Sequence, residues 1–333
     1  MKLLVTGGLG FIGSNFILHI LDNYPQIQII NVDAEVLGSN KKNLENIENK
    51  NYKYFKGNIT DTKLLQKLIV DIDAVVNFAA ESHVDRSIFD SEPFLKSNIM
   101  GVYTILDVIR KNNKKTKFLQ ISTDEVFGSR LRGLSKEEDV FHPSNPYSAS
   151  KASAELIAES YLKTYDLDIM ITRCTNNFGP RQFPEKIIPK TIIRLLKNLK
   201  IPIYGTGKNI RDWLYVDDHC DAIMKVLLRG KCGESYNISG NNQLTNKQLV
   251  KKILKHMNKS ENLIYYVEDR PGHDLRYSLD STKIRHKLGW KPKLQFNNTL
   301  SETIDWYLEN ESWWKNLATG EMLSPTPWKK YRK

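Results

Sequence analysis

Apolar positions in the first half of the chain switch repeatedly between two spacings. Residues 2–5 form a short apolar run that ends in glycines, and 11–21 place Phe11, Ile12, Phe16, Ile17, Ile20 and Leu21 at helical intervals. Residues 28–32 are a β-branched run, and 52–55 and 74–78 repeat the strand signal. A helix is predicted over 95–109, a strand over 117–122, a helix over 149–165 and a strand over 168–172. Strands alternating with helices imply right-handed βαβ units and a doubly wound parallel sheet. No internal repeat is visible.

Beyond Cys174 the pattern loosens. Pro180, Pro184 and Pro189 mark loops. Strands are expected over 211–216 and 234–238, each followed by a helical stretch, and further helices near 280–288 and 299–308. A soft boundary near residue 175 divides the chain, with residues near 210–235 a candidate to pack back on the first part. The tail from about Ser312 is rich in Trp and Lys and is expected to be only partly ordered.

The first strand runs into Thr6-Gly7-Gly8-Leu9-Gly10-Phe11-Ile12-Gly13, so Gly8, Gly10 and Gly13 make G-x-G-x-x-G directly before a helix. Such glycines allow a tight turn and a close backbone approach to a pyrophosphate, and the helix N-terminus offers free N–H groups. Asp33, ending the second strand, lies 20 residues after Gly13, where a carboxylate bonds ribose hydroxyls and repels a 2′-phosphate. NAD is therefore expected rather than NADP. The alternative is a glycine turn without a ligand. Asn58 and Ile59, after another strand, are expected near the adenine.

Tyr147 and Lys151 form Y-x-x-x-K on one helix face, and Pro146 before them suits a helix start. A neighbouring ammonium favours the phenolate, so this tyrosine is expected to take a proton from an alcohol while hydride leaves. The strand before it ends in Ser122-Thr123-Asp124-Glu125, and strand C-termini are where ligands sit in doubly wound sheets. Two adjacent carboxylates repel, which raises at least one pKa and separates an acid from a base. A solvated acidic turn is the alternative for that pair alone.

Composition removes other classes. The 333 residues are 40% hydrophobic and 26% charged, so an ordered globular chain of about two domains is expected. No apolar run approaches the ~20 residues of a membrane span, and the first residues lack the pattern of a secretory signal. Cys174, Cys220 and Cys232 are widely spaced and make no disulfide framework, which points to a reducing cytoplasm. No metal-ligand spacing occurs, so no metal is expected. The net charge of +11 comes from scattered lysines rather than a basic stripe with interleaved aromatics. That speaks against nucleic acid and mildly favours an anionic substrate.

The segments TGGLGFIGS, AAESHVDRS (79–87), STDEVFG (122–128), YSASKA (147–152), NNFGP (176–180), RDWLYV (211–216) and DRPGHD (269–274) together resemble the extended short-chain dehydrogenase/reductases. Within them the chain is similar to the dTDP-glucose 4,6-dehydratases, from Lys2 to about Tyr307. The resemblance implies a Rossmann-type NAD-binding domain over 1–175 and a smaller mixed α/β sugar-nucleotide-binding domain over 176–333. It implies that Tyr147, helped by Lys151 with Thr123 on the same hydroxyl, deprotonates the sugar 4-hydroxyl as C4 hydride passes to NAD⁺. Glu125 would remove the C5 proton, and Asp124 would protonate the leaving 6-hydroxyl. Hydride would then return to C6, giving a 4-keto-6-deoxy sugar nucleotide.

By the same resemblance Gly7, Gly10, Phe11, Ile12, Gly13, Asp33, Asn58, Ile59, Phe78, Ala79, Ala80, Ser82, Ser97, Tyr147, Lys151 and Asn177 would hold the cofactor. Ser82, Thr123, Asn176, Lys186, Ile187, Pro202, Ile203, Tyr204, Arg211, Asn246, Asp269, Arg270, Pro271, Gly272 and His273 would hold dTDP-glucose, with Lys186, Arg211 and Arg270 suited to its pyrophosphate. The resemblance also implies a homodimer through helices near 95–109 and 149–165. Phe127, Phe178, Asn58 and Thr175 depart from the usual family residues, and 129–145 is short and basic at Arg130 and Arg132. A UDP-glucose 4,6-dehydratase, or an epimerase or decarboxylase using the same Tyr/Lys pair, remains the alternative, as does a non-catalytic NAD-binding protein.

Overall fold

A computed structural model describes residues 1–45 and 47–329. Six strands open the chain: β1 (Lys2–Thr6), β2 (Gln28–Asp33), β3 (Tyr52–Lys56), β4 (Ala74–Asn77), β5 (Lys117–Thr123) and β6 (Ile169–Cys174). With the later strand Ser235–Ile238 they form a seven-stranded sheet in the order Ser235–Ile238, β6, β5, β4, β1, β2, β3. Every pairing in it is parallel. The central strands are apolar on both faces because helices cover both.

Alternation along β1 shows how the two layers are fed. Leu3 and Val5 join the core beneath α1 (Phe11–Asn23) and helix Val216–Arg229, whereas Leu4 joins the core beneath helices Gly101–Asn112 and Pro146–Tyr165. Helix Pro146–Tyr165 begins at a capping box in which Asn145 and Ser148 satisfy each other's backbone N–H groups, with Pro146 in its first turn. That start places Tyr147 and Lys151 beside the C-terminal end of β5. The expected helix over 95–109 begins as a π turn, Leu95–Met100, before Gly101–Asn112. Among the described residues no helix is long and apolar enough to cross a membrane.

The rest of the chain builds a smaller body. Strand Ile210–Tyr215 pairs antiparallel with Gln243–Thr245 and parallel with Asn176–Phe178. Ile201–Tyr204 pairs parallel with Ile264–Val267. Helices Ile187–Leu196, Asn246–His256 and Phe296–Glu309 pack around one apolar core. That core corrects the expectation of a partly ordered tail for residues 312–329; residues 330–333 lie outside the described residues. Trp313, Trp314, Ala318 and Leu323 are buried in it, and Trp328 is buried as well. The tryptophans that made the tail look like a composition anomaly are the groups that fasten it, because each removes a large apolar area from water.

Candidate active site

β1 and β4 are neighbours at the place where the strand order reverses, and the loops after them open a crevice there. Gly7 takes a φ of +70°, and a Cβ on it would sit 2.6 Å from the Ala79 nitrogen; a Cβ on Gly13 would sit 2.4 Å from the Gly7 carbonyl oxygen. The turn therefore closes only with hydrogen at these positions. No side chain caps α1, so the first-turn N–H groups of Phe11, Ile12 and Gly13 have neither a capping nor an intrahelical partner. They line a cavity of about 420 Å³.

All sixteen residues expected at the cofactor, from Gly7 through Asp33, Asn58, Phe78 and Ser97 to Asn177, line this one cavity. A cradle with unspent helix N–H groups beside a buried carboxylate fits a dinucleotide without a 2′-phosphate. Asp33 is also committed to its own loop. It accepts from Leu9 N at 3.0 Å, Glu35 N at 2.8 Å and Ser39 Oγ at 2.7 Å. Asn58 Oδ1 accepts from the Thr60 nitrogen and hydroxyl, so its side chain shapes a turn while the residue lines the wall.

Thr123, Asp124, Glu125, Tyr147 and Lys151 share the far end of the same cavity with Asn176 and Lys186. Asp124 and Glu125 open a short 3₁₀ turn, Asp124–Phe127, where the Glu125 N–H donates to Thr123 Oγ1 at 3.3 Å. Thr123 Oγ1 in turn donates to Asp124 Oδ1 at 3.2 Å, and Asp124 Oδ2 is buried without a partner among the described residues. Burial first, and the Glu125 charge second, push the Asp124 pKa well above the usual carboxylate range. The adjacent pair therefore divides into a buried carboxyl held towards its protonated form and a more exposed neighbour, Glu125.

The Tyr147/Lys151 pair differs from its expected electrostatics. Burial, then the Glu125 charge, hold the Tyr147 pKa well above its ordinary value. Lys151 Nζ donates to the Ile121 carbonyl at 2.6 Å, and its own pKa is pushed down to about 8 by burial, with Glu155 opposing. Desolvation outweighs the attraction that spacing alone suggested, because both side chains sit inside the protein.

A second cavity of about 160 Å³ runs on from Glu125, Asn176 and Lys186. Its walls include Ile187, Pro202, Ile203, Tyr204, Arg211, Asn246, Arg270 and His273 from the expected substrate set. Ser82 and Thr123 instead line the larger cavity. Asp269, Pro271 and Gly272 line neither and form the loop that carries Arg270 and His273: Asp269 Oδ1 accepts from Arg270 N at 2.9 Å and lies 2.5 Å from His273 Nδ1. Burial, with Arg270 and Arg211 nearby, holds His273 neutral at a pKa of about 4. Lys186 Nζ donates to the Ser82 carbonyl at 2.7 Å.

Several residues at the site were not among those expected there. Tyr277 OH lies 2.6 Å from Asp274 Oδ2 and 3.2 Å from Glu125 Oε2, and the Arg211 guanidinium sits 4.3 Å above its ring. Asp85 and Lys190 line the second cavity. Behind Lys151, one helical turn on, Glu155 is bound by Arg173 and by Ser122. Asp85, Asp274 and Ser122 fall within the quoted segments without a role of their own, while Tyr277, Lys190, Glu155 and Arg173 lie in ordinary-looking stretches; tertiary packing brings them together.

The family model for GDP-mannose 4,6 dehydratase matches residues 4–303. The low-salt glycan biosynthesis protein Agl12 of Haloferax volcanii is 46% identical over 312 residues, covering 93% of this chain and all of the relative. A dTDP-glucose 4,6-dehydratase of Escherichia coli is 41% identical, covering 96% and 97%. Among solved structures, the NAD-bound dTDP-glucose 4,6-dehydratase DesIV of Streptomyces venezuelae superimposes with a TM-score of 0.93 at 42% identity, covering 95% of this chain and 100% of that one.

Proposed function

This chain belongs to the GDP-mannose 4,6-dehydratase family, and from that premise we propose that it converts dTDP-glucose to dTDP-4-keto-6-deoxyglucose and water, a hydro-lyase reaction. The observation that carries the reading is the Asp124–Glu125 pair. Asp124, buried and held towards its protonated form, adjoins the more exposed Glu125, on the same wall as a Tyr/Lys pair. Elimination of water needs one acid and one base on neighbouring carbons, and an epimerase has no use for the pair.

When bound, NAD supplies the hydride acceptor for C4, the hydride donor for C6 and a positive ring charge against the buried phenol. The residues of the chain move the protons. Tyr147 takes the proton of the 4-hydroxyl, and Thr123 holds that oxygen. The resulting ketone acidifies C5, whose proton passes to Glu125. Asp124 gives its proton to the departing 6-hydroxyl, which leaves as water. A proton returns to C5 as C6 is reduced. Lys186, Arg211 and Arg270 supply the positive wall for the diphosphate; residues 1–175, with helix Val216–Arg229 and strand Ser235–Ile238 packed back on them, form the cofactor side, and most of 176–329 otherwise forms the sugar-nucleotide side.

We further propose a homodimer. Leu95, Met100, Tyr103 and Leu156 are exposed along the helices that begin at Leu95 and Pro146, which supports an apolar face shared between two copies. Three free cysteines support a reducing cytoplasm. The test is to incubate purified protein with dTDP-glucose and analyse for the 4-keto-6-deoxy product. Product from UDP-glucose alone would reassign the nucleotide, and no product from either would overturn the reading.

A further inference from the structure

The wall of the second cavity holds a carboxylate that the elimination chemistry does not use. Asp85, on helix Val84–Phe89 of the large-sheet side, is 3% exposed, and both of its oxygens are spent on the opposite side. Oδ1 accepts from Arg270 Nη1 at 2.7 Å, and Oδ2 accepts from Tyr204 OH at 3.0 Å. Tyr204 ends strand Ile201–Tyr204 of the smaller body, and Arg270 belongs to the loop after strand Ile264–Val267. One side chain thus ties two separate pieces of the nucleotide wall to the element that follows β4.

The far side of this contact is closed by the C-terminal segment, which lies past the last residue matched by the family model. The ring of Trp328 meets Tyr204 edge-on with centroids 4.5 Å apart, and the turn Pro327–Lys329 packs on helix Val84–Phe89. Lys329 pairs with Glu268, two residues before Arg270. Arg270 keeps a buried Nε with no partner among the described residues, on a side chain that lines the cavity. A guanidinium with one edge anchored and another unspent is arranged to present donors to an anion.

We propose that Asp85 is a positioning residue that orients Arg270 and Tyr204 for the diphosphate of the sugar nucleotide, with Trp328 as the backstop that keeps Tyr204 in place. The proposal rests on the dehydratase reading for the identity of the ligand. A carboxylate in an anion site has an opposing effect, since it offsets the charge of Arg270. The two effects differ in sign. If Asp85 served only to neutralise Arg270, its removal would tighten binding of an anion. If it serves to orient, removal weakens binding, because Arg270 and Tyr204 lose their common anchor.

The experiment is titration calorimetry of dTDP into the NAD-loaded enzyme, with steady-state kinetics on dTDP-glucose. Asp85→Asn is expected to weaken dTDP binding and raise KM by about tenfold or more, with kcat changed by less than about threefold. Tyr204→Phe and Trp328→Ala are expected to raise KM by about threefold each, again with little change in kcat. Unchanged or tighter dTDP binding in Asp85→Asn overturns the proposal, as does a loss confined to kcat. Should Asp85→Asn fail to fold, unchanged KM in both other variants overturns it. A wild-type protein that binds dTDP but does not turn over dTDP-glucose refutes the dehydratase reading and leaves this inference standing.

Discussion

Replacing Glu155 by Gln probes a buried ion pair that stands one helical turn behind Lys151 and outside the cavity wall. Glu155 is fully buried; Arg173 donates to its Oε2 from Nε at 2.9 Å and reaches the same oxygen from Nη2 at 2.7 Å, while Ser122 Oγ donates to Oε1 at 2.5 Å. The Arg173 guanidinium lies 5.1 Å from the ring centroids of both Phe127 and Phe141, so it has no route to water. Gln keeps the shape and leaves the buried cation uncompensated, which costs about 3–5 kcal/mol. At ~2.1 cal/mol/K of unfolding entropy per residue, 333 residues give about 0.7 kcal/mol/K, so the melting temperature is expected to fall by roughly 4–7 °C. The double variant Glu155→Leu/Arg173→Met removes both charges and is expected to recover most of that loss. A melt within about 1 °C of wild type for Glu155→Gln refutes the claim that this ion pair is desolvated. The same change removes the group that raises the Lys151 pKa from the next helical turn, so the Lys151 pKa is expected to fall below its value of about 8, read from the pH profile of turnover.

Tyr147→Phe is expected to abolish C4 oxidation, so mixing with dTDP-glucose leaves the NADH absorbance at baseline. Asp124→Asn is expected to leave oxidation intact and slow water loss, so bound NADH accumulates during turnover; equal loss of the oxidative step contradicts the acid role. The same variant is expected to be more stable than wild type. Asp124 binds its proton more tightly when folded than unfolded, so its contribution is full below the unfolded pKa and declines as pH rises towards the folded one. The melting advantage of Asn should therefore grow with pH, and a constant or shrinking advantage refutes the raised pKa. Gly13→Ala places a Cβ 2.4 Å from the Gly7 carbonyl oxygen and is expected to abolish retention of NAD on purification, measured by absorbance of the released nucleotide.

The parts of this molecule that could be read from its sequence are those whose cause is local. The glycine turn, α1 and the aspartate at the end of β2 lie within one stretch of chain, and each step has its own steric or dipolar reason. The spacing of Tyr147 and Lys151 likewise needs only a helix. Pairing between distant strands is different: nothing within Ser235–Ile238 specifies a place beside β6, and nothing within Gln243–Thr245 specifies an antiparallel partner. The Tyr147 electrostatics escaped for a related reason, because desolvation depends on everything packed around a group and spacing reports only one neighbour. Tyr277 and Asp85 act through contacts across 152 and 185 positions of the chain, and no window of sequence contains both ends.

The acid and the base sit in a turn of four residues in which the Glu125 N–H donates to Thr123 at the end of β5, and Gly128 closes the turn with a φ of +65°. It behaves as an interchangeable cartridge mounted on a fixed oxidising platform. Swapping Asp124 and Glu125 alters what happens at carbons 5 and 6 and, through their charge on Tyr147, also tunes the redox step at carbon 4. A scaffold built this way diversifies its products cheaply, and directed evolution of new keto sugars has a short, well-defined stretch of gene to randomise.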